Sequence, residues 1–380
     1  MTKILLPFLA ILLSFLGDLE AQDPHFAQFY ANRIYLNPAY AGFDPGNTVI
    51  LNFRNQWPGI PDGDVVASNT SYRTFNATGD FRLPCFSGIQ NFCMGLAGSF
   101  FHDAAGKAPL ITQGGGLALS AAKRIIRPNK KKITYVDLRI GAQASGMRRR
   151  IDGDYFIYSS QLDPQFGLIG DPSILNLRSK IYSNLNTGLL INFGNNQHNF
   201  SGGVSMSNVL EPDYTFYNAP PGDILPRRYT GHLGATVERF NNFFLSPQLR
   251  ADFQSKFDLG LFSGGTYIQS DKMYGGLFYQ WNKNTFSQST SGARLAENVS
   301  HIILSLGVDI QSIVDLGNVD YIQNRFILGA TFDYTVRGLS QSDTRGGFEL
   351  AIKMFFDGGK EKNCLEEKRN QHRRCPIISH

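Results

Sequence analysis

Charged residues are scarce in this chain, and so are cysteine and tryptophan. Only 18% of the 380 residues are Asp, Glu, Lys or Arg, against roughly 25% in soluble domains. The 36 Lys and Arg residues nearly balance the 31 Asp and Glu residues, which argues against a nucleic-acid-binding protein. Aromatic residues nevertheless make up 13% of the chain, so a disordered protein is excluded as well.

Long apolar runs are missing beyond the amino terminus, where a transmembrane helix would need about 20 apolar residues. The first residues have a different pattern. Lys3 precedes the apolar run Ile4–Gly17, and a small residue, Ala21, follows a short polar stretch. This order is typical of a secretory signal peptide that is cleaved after Ala21. We therefore expect residues 1–21 to be removed, and the mature chain to begin near Gln22 and to act outside the cytoplasm.

Catalytic motifs are missing too. The sequence has no G-x-S-x-G nucleophile elbow and no phosphate-binding P-loop. Its other histidines are scattered along the chain, and the tail residues Cys364, His372, Cys375 and His380 lack the close cysteine pair that is typical of zinc sites. The sequence therefore predicts a protein that is not an enzyme and that uses no cofactor or metal.

Polar and apolar residues alternate along much of the chain, for example in 304–311, 325–334 and 348–354. A period of two with one apolar face is typical of β-strands. Alternating segments of about ten residues are longer than the average strand of soluble proteins and match a tilted strand that crosses a membrane. Because every backbone polar group must be paired inside a bilayer, such strands have to close into a barrel.

The pattern thus predicts an all-β fold, a transmembrane antiparallel β-barrel of about 14 strands, an even number as in bacterial barrels. A soluble β-sandwich is the alternative, which the length of the strands disfavours. The predicted strands are 48–57, 65–77, 92–102, 112–126, 132–147, 181–193, 198–208, 228–240, 243–255, 257–269, 272–283, 299–310, 324–336 and 345–356.

The lengths of the connections predict the orientation of the barrel. Connections after strands four, six, eight and ten are short, whereas those after strands three, five, seven and eleven are long, notably 148–180 and 209–227. Outer-membrane barrels have short periplasmic turns and long outer loops. If the first strand runs outward, both termini are expected in the periplasm. Three connections do not fit this pattern: 78–91 and 311–323 are long for periplasmic turns, and the connection near Lys256 is short for an outer loop.

Four parts of the chain follow from these patterns. Residues 1–21 are the signal peptide, and 22–47 form an N-terminal periplasmic segment or plug. Residues 48–356 form the outer-membrane barrel, and 357–380 form a short basic periplasmic tail.

Charges of both signs occupy positions that face the barrel interior in this register. An unpaired charge is costly in a filled interior. Residues of opposite charge that face each other are therefore expected to form ion pairs across the barrel interior. Our hypothesis is a narrow or filled barrel, although an open porin would also have a polar interior. The inward-facing charged residues are Asp137, Arg139, Arg250, Asp252, Asp309, Asp333, Glu349 and Lys353.

The segment Gln22–Gly42 is rich in aromatic residues. Asp23-Pro24 has the residues of a helix start, and Asn37-Pro38 predicts the helix end. The segment is either a tail that packs against the barrel mouth or a plug or docking surface in the periplasm. Shortly after it stands Trp57, one of only 2 tryptophans, which we expect in the aromatic girdle at the membrane interface.

The 4 cysteines are an even number, as in exported chains with disulfides. Cys85 and Cys93 flank one predicted connection, and Cys364 and Cys375 share the tail, so two local disulfides are the simplest prediction. Connectivity itself cannot be read from a sequence. The basic tail is either a solvated extension or a contact for an acidic partner surface.

Three blocks of the sequence resemble a known family. YLNPAYAG at 35–42, RNQWP at 54–58 and a last strand followed by a basic tail with Cys375-Pro376 are similar to the PorP/SprF family. Its members are outer-membrane proteins of the type IX secretion system in Bacteroidota. The likeness spans the mature chain, but the tail ends in 377–380 without the aromatic residue that the family leads us to expect after the proline.

The resemblance implies a non-enzymatic accessory barrel that binds either a secreted cargo protein, such as a gliding adhesin, or the periplasmic secretion machinery. The alternative is an outer-membrane channel or hydrophobic-solute transporter, in which Gly114-Gly115-Gly116 would open the barrel wall. Either protein would contact outer-membrane lipid and no nucleic acid. The candidate partner-binding residues are Phe26, Phe29, Tyr30, Tyr35, Asn37, Pro38, Tyr40, Arg54, Gln56, Trp57, Arg373 and Arg374.

Overall fold

A computed structural model shows a closed antiparallel β-barrel of 14 strands. The residues that the structure describes are 25–44, 46–58, 71–83, 92–106, 109–126, 135–151, 162–163, 167–168, 177–194, 198–216, 222, 224–240, 243–254, 259–270, 272–283, 298–310, 325–337 and 344–356. The barrel strands are β1 (Asn47–Gln56), β2 (Tyr72–Arg82), β3 (Phe92–Ala105), β4 (Leu110–Ile126), β5 (Tyr135–Ile151), β6 (Tyr182–Gly194), β7 (His198–Ser207), β8 (Arg228–Phe240), β9 (Phe243–Gln254), β10 (Leu259–Gln269), β11 (Met273–Lys283), β12 (Asn298–Asp309), β13 (Arg325–Arg337) and β14 (Gly347–Phe356).

The barrel closes between its first and last strands. β1 pairs with β14 over its whole length, with Asn47 opposite Phe356 and Gln56 opposite Gly347. Each of the 14 strands is therefore hydrogen-bonded to a strand on both sides. The backbone N–H and C=O groups of these strands thus find partners within the barrel and are not left unpaired in the membrane. Between β5 and β6, Leu162–Asp163 pairs with Gly167–Leu168, and Leu177–Arg178 pairs with the end of β5.

The predicted alternation between the two faces of the strands is confirmed. On β12, Leu304 and Leu306 are 54% and 70% exposed on the outer surface, whereas Ser305 between them is buried in the interior. Apolar side chains on the outside and polar ones inside are the pattern of a barrel that stands in lipid. The structure and the alternation thus agree on an outer-membrane barrel.

Two predicted boundaries on the first three strands are wrong. β2 spans Tyr72–Arg82 and so continues past its predicted end at residue 77. The alternation is weak there because Ala77 and Gly79 stand on the outer face before Phe81, and the predicted start at 65 lies outside the described residues. The connection after β3 is short, not long, because β3 and β4 stay paired until Ala105 meets Leu110.

The helices are shorter than predicted. An α-helix, α1, spans Arg33–Leu36, and a 3₁₀-helix spans Pro38–Tyr40. Asn32 caps α1 through its side chain, which accepts a hydrogen bond from the Tyr35 amide, so α1 begins at Arg33. The described residues 25–32 are not helical, and the predicted start at Asp23-Pro24 lies outside the described residues. None of the described helices is long and apolar enough to cross a membrane.

The two ends of the barrel differ in their connections. We name the end where β1 finishes the loop end, and the end where β1 begins the turn end. The loop end carries the connections 57–71, 106–109, 152–181, 208–227, 255–258, 284–297 and 338–346. The turn end carries 83–91, 127–134, 195–197, 241–242, 270–272 and 310–324.

Candidate functional site

Residues 25–44, here named the luminal segment, lie inside the barrel. Their hydrogen-bond partners stand on strands all round the barrel, including Asn76 on β2, Ser120 on β4, Ser205 on β7 and Ser305 on β12. Most side chains of the segment are buried. The barrel interior is therefore filled by the chain's own amino-terminal segment.

The luminal segment runs from the loop end to the turn end. Near the end of β1, Arg54 donates from Nη1 to the carbonyl oxygen of His25 over 3.1 Å. At the opposite end, the Asp44 carboxylate pairs with Lys353, close to where β14 finishes. His25, the first described residue, thus lies at the other end of the barrel from Phe356, the last one. The two termini lie outside the described residues, so their placement in the periplasm stays a prediction.

Glu349 anchors the start of the luminal segment. Its carboxylate accepts hydrogen bonds from the backbone amides of Ala27, at 2.7 Å, and Gln28, at 3.2 Å. Arg54 lies 3.7 Å from the same carboxylate and donates to Asp333 at 2.6 Å. Since all three charges are buried, one arginine between two carboxylates holds the segment to β1, β13 and β14.

His25 at the start of the segment is also tied to the barrel wall. Its side chain is buried, and its Nε2 atom accepts a hydrogen bond from the Gln280 amide at 3.0 Å.

Asn37 fixes the middle of the segment. Its Oδ1 atom accepts from the Ala39 amide, which starts the 3₁₀-helix, while its Nδ2 group donates to the carbonyl oxygens of Leu189 and Val204. This side chain fits because Gly188 has no Cβ: one added there would stand 1.9 Å from Asn37 Oδ1. The Asn-Pro pair of the sequence therefore serves as an anchor as well as a helix end.

At the turn end the backbone of the luminal segment packs directly on the barrel wall. Arg139 donates to the carbonyl oxygens of Ala39, at 3.0 Å, and Ala41, at 2.8 Å. A Cβ added at Gly95 would lie 2.2 Å from the Ala41 oxygen. The turn end of the interior has no spare room there.

Aromatic rings fill the space between the segment and the second half of the barrel. Tyr30 packs edge-on against Tyr267, with ring centroids 4.3 Å apart, and stacks on Phe278 at 5.7 Å. The Tyr30 hydroxyl reaches Ser305 at 2.9 Å, so the ring is buried with its polar end satisfied.

The inward placement of the predicted charges is confirmed: Asp137, Arg139, Arg250, Asp252, Asp309, Asp333, Glu349 and Lys353 are all buried in the interior. Several form ion pairs, as the hypothesis of a filled barrel requires. These are Arg54 with Asp333, Arg124 with Asp137, Arg250 with Asp252, and Lys353 with Asp44.

Above the luminal segment, a cavity of about 400 Å³ opens toward the loop end. Its wall is both aromatic and polar. Tyr35 stacks on Phe101 with ring centroids 5.8 Å apart, and Trp57 packs edge-on against Tyr72 at 5.6 Å. Other lining residues are Asp103, Gln143, Arg149, Asn184, Arg228 and the glycines at 114–116.

Trp57 does not belong to an aromatic girdle, and that expectation is wrong. The chain turns at Trp57 with a positive φ of 56°, and the Trp57 amide donates to the Gly346 carbonyl at 2.7 Å. The turn carries the side chain into the cavity, where it is only 5% exposed. A tryptophan at the end of a strand can face either the lipid or the barrel interior. The backbone turn at this residue determines which of the two it faces.

The predicted partner-binding residues fall into three groups. Those buried inside the barrel are Phe26, Phe29, Tyr30, Asn37, Pro38, Tyr40 and Arg54. Those that line the cavity are Tyr35, Gln56 and Trp57. Arg373 and Arg374 lie outside the described residues, so their role stays a prediction.

Cys93 carries a free thiol and is buried at the start of β3, opposite Ala122. It therefore takes no part in the expected Cys85–Cys93 disulfide in this structure, because its side chain points into the barrel and packs against β4. Cys85, Cys364 and Cys375 lie outside the described residues.

The family described as "Type IX secretion system membrane protein PorP/SprF" matches residues 18–354, nearly the whole chain. The chain belongs to the PorP/SprF family. None of the curated proteins matches the sequence. The plugged barrel is thus the fold that this PorP/SprF chain adopts.

Solved outer-membrane barrels are similar to this PorP/SprF chain in architecture alone. A Pseudomonas aeruginosa FadL homologue shares 9% identity at a TM-score of 0.41, over 84% of this chain and 92% of that one. A mutant of the monoaromatic hydrocarbon channel TodX shares 10% identity at 0.42, over 84% and 92% of the two chains. The monoaromatic hydrocarbon channel CymD shares 9% at 0.42, over 91% and 98%.

Sequence reasoning missed three anchors of the luminal segment in this PorP/SprF chain. Asn32 donates to Asn76 at 2.7 Å, Asp80 accepts from the Gly42 amide at 2.5 Å, and Asp44 pairs with Lys353. A signal for two of them exists on β2, where polar residues recur at every second position from Thr74 to Asp80. The misplaced strand boundary concealed it.

Proposed function

We propose that this protein is a non-enzymatic component of the type IX secretion machinery that works by binding other proteins. The observation that supports this most strongly is the combination of family membership with an interior closed by the luminal segment. A barrel whose interior is filled has little capacity for solute flow. Its two ends are then the surfaces through which it can bind other proteins.

The proposed orientation rests on the lengths of the connections. In our proposal the loop end faces the cell exterior, because long loops are extracellular in outer-membrane barrels, and the turn end with the carboxy-terminal tail faces the periplasm. The buried residues of the luminal segment then support the fold. A secreted cargo protein, such as a gliding adhesin, would bind at the loop end around Tyr35, Gln56 and Trp57. The periplasmic machinery would contact the basic tail with Arg373 and Arg374.

A channel or hydrophobic-solute transporter is the second candidate. The cavity at the loop end, partly aromatic and lined by Gly114–Gly116 on β4, favours it. The floor of that cavity is the luminal segment, however, with His25 and Tyr35 in its lining. A solute would therefore have to leave sideways through the wall.

Deletion of the gene tests the two candidates. We expect one or a few secreted proteins to disappear from the cell surface and medium and to accumulate in the periplasm, because their outer-membrane partner is missing. Quantitative proteomics of the surface, medium and periplasmic fractions measures this, with a plasmid-borne wild-type copy as the control. An unchanged set of secreted proteins, together with slower uptake of an apolar solute, would reject the secretion role in favour of transport.

A further inference from the structure

Three arginines stand together on the outer wall of the barrel at its loop end. On β5 the odd-numbered residues face inward, as buried Asp137, Arg139 and Gln143 show, so Arg148 and Arg150 face outward. Arg178 lies directly opposite Arg150 in the short pairing of Leu177–Arg178 with β5, and directly paired residues point to the same face. We name Arg148, Arg150 and Arg178 the arginine patch.

The arginine patch lies at the height where the apolar band of the membrane ends. Leu138 and Ile140 on the same face of β5 are 43% and 59% exposed and belong to the lipid-facing surface. Arg148 follows Leu138 by ten residues, which at about 3.3 Å per residue and a tilt of roughly 40° is about 25 Å along the membrane normal. That is about the thickness of the apolar band of such barrels.

Nothing among the described residues neutralises the patch. On β4 the neighbours of Arg148 and Arg150 are Gln113 and Ile111, which are uncharged. The ion pairs formed within the described part of the chain involve none of the three arginines. Arg148 Nε is buried without a hydrogen-bond partner. Like charges placed directly opposite each other, as Arg150 and Arg178 are, destabilise a sheet unless an anion lies between them.

Hydrogen bonds between residues 149 and 179 join the two pieces of backbone that carry the patch. The Ser179 amide donates to the Arg149 carbonyl at 2.9 Å, and the Arg149 amide donates to Ser179 Oγ at 2.8 Å. Beside the patch, Ile181 is 73% exposed and adds an apolar surface. Guanidinium groups next to an apolar side chain suit a ligand with phosphate groups and acyl chains, since arginine binds phosphate through two parallel hydrogen bonds.

We propose that the arginine patch binds the phosphate groups of a phosphorylated glycolipid in the outer leaflet. A lipid headgroup is favoured over free phosphate because the patch lies on the lipid-facing wall, at headgroup height, and not in a pocket that faces water. The assignment to the outer leaflet depends on the proposed orientation of the loop end, but not on the secretion role.

Native mass spectrometry of the full-length protein in mild detergent tests this proposal. The probes are bisphosphorylated lipid A, its dephosphorylated form, phosphatidylglycerol and inorganic phosphate, each added separately. The test variant is Arg148→Gln/Arg150→Gln/Arg178→Gln. The matched control is Lys123→Gln/Lys272→Gln/Arg337→Gln, which removes the same charge from exposed residues elsewhere. Heat-modifiable mobility on gels shows that each variant is folded.

Bisphosphorylated lipid A is expected to bind the wild type and the control equally. Its bound fraction should fall at least about tenfold in the patch variant, because bidentate arginine–phosphate bonds are lost. Equal binding to the patch variant, or equal binding of the dephosphorylated lipid, would overturn the proposal. Preferential binding of phosphatidylglycerol would reject a glycolipid of the outer leaflet as the ligand. If only inorganic phosphate binds, and its binding is lost in the patch variant, a lipid ligand would be rejected.

Discussion

Deletion of residues 25–44 is expected to turn the closed barrel into a conducting pore. The strands leave a polar interior lined by residues such as Asn76, Ser120 and Ser305, and water would fill it once the luminal segment is gone. Ion conductance in planar bilayers should rise at least about tenfold over the wild type, as expected when a filled barrel becomes a water-filled one.

A second variant covers the risk that the deletion prevents folding. Gly95→Val places a side chain where a Cβ would lie 2.2 Å from the Ala41 oxygen, so it displaces the luminal segment at the turn end. The matched control is Gly98→Val, because a Cβ at Gly98 meets only the Leu117 side chain, at 3.7 Å. Folded Gly95→Val and deletion proteins that conduct no better than the wild type would show that the segment does not close the barrel.

Replacement of Arg54 by leucine is expected to destabilise the folded barrel by about 3–5 kcal/mol, the typical cost of breaking a buried ion pair. The reason is that Arg54 lies between two buried carboxylates, Asp333 at 2.6 Å and Glu349 at 3.7 Å. Without it, the two carboxyl groups are left in the interior with no cation beside them. The free energy of unfolding, measured by urea titration in lipid vesicles, gives the cost.

Arg73→Leu is the matched control, because Arg73 is exposed on β2 and carries the same charge. Its effect should stay within about 0.5 kcal/mol, as is usual for surface substitutions. An Arg54→Leu variant that unfolds at the same urea concentration as Arg73→Leu would mean that the buried charges are solvated, and that the interior near β13 and β14 is open.

The strands could be predicted from the sequence because one physical rule acts on every residue of a membrane strand. A side chain faces either lipid or the interior, so Leu304, Ser305 and Leu306 alternate without interruption. The rule weakens where small residues replace apolar ones, as at Ala77 and Gly79 on β2, and there the boundary was misplaced.

The path of the luminal segment could not be predicted, because it depends on contacts between residues far apart in sequence. The backbone amides of Ala27 and Gln28 donate hydrogen bonds to Glu349, more than 300 positions away. No local sequence pattern predicts that contact. Propensity favoured a helix from Pro24, but these tertiary hydrogen bonds hold the backbone at 27–28 outside a helix. The same limit applies to Trp57, whose turn into the cavity depends on a bond to Gly346.

Affinity purification from native outer membranes, followed by mass spectrometry of the proteins that co-purify, tests the proposed role most directly. The protein should carry its affinity tag in a loop-end connection and be extracted in mild detergent. We expect type IX secretion components or one large secreted protein to co-purify with the wild type, and an unrelated outer-membrane barrel with the same tag not to retain them. A barrel recovered without protein partners and with a bound apolar small molecule would contradict the proposal and indicate a transporter.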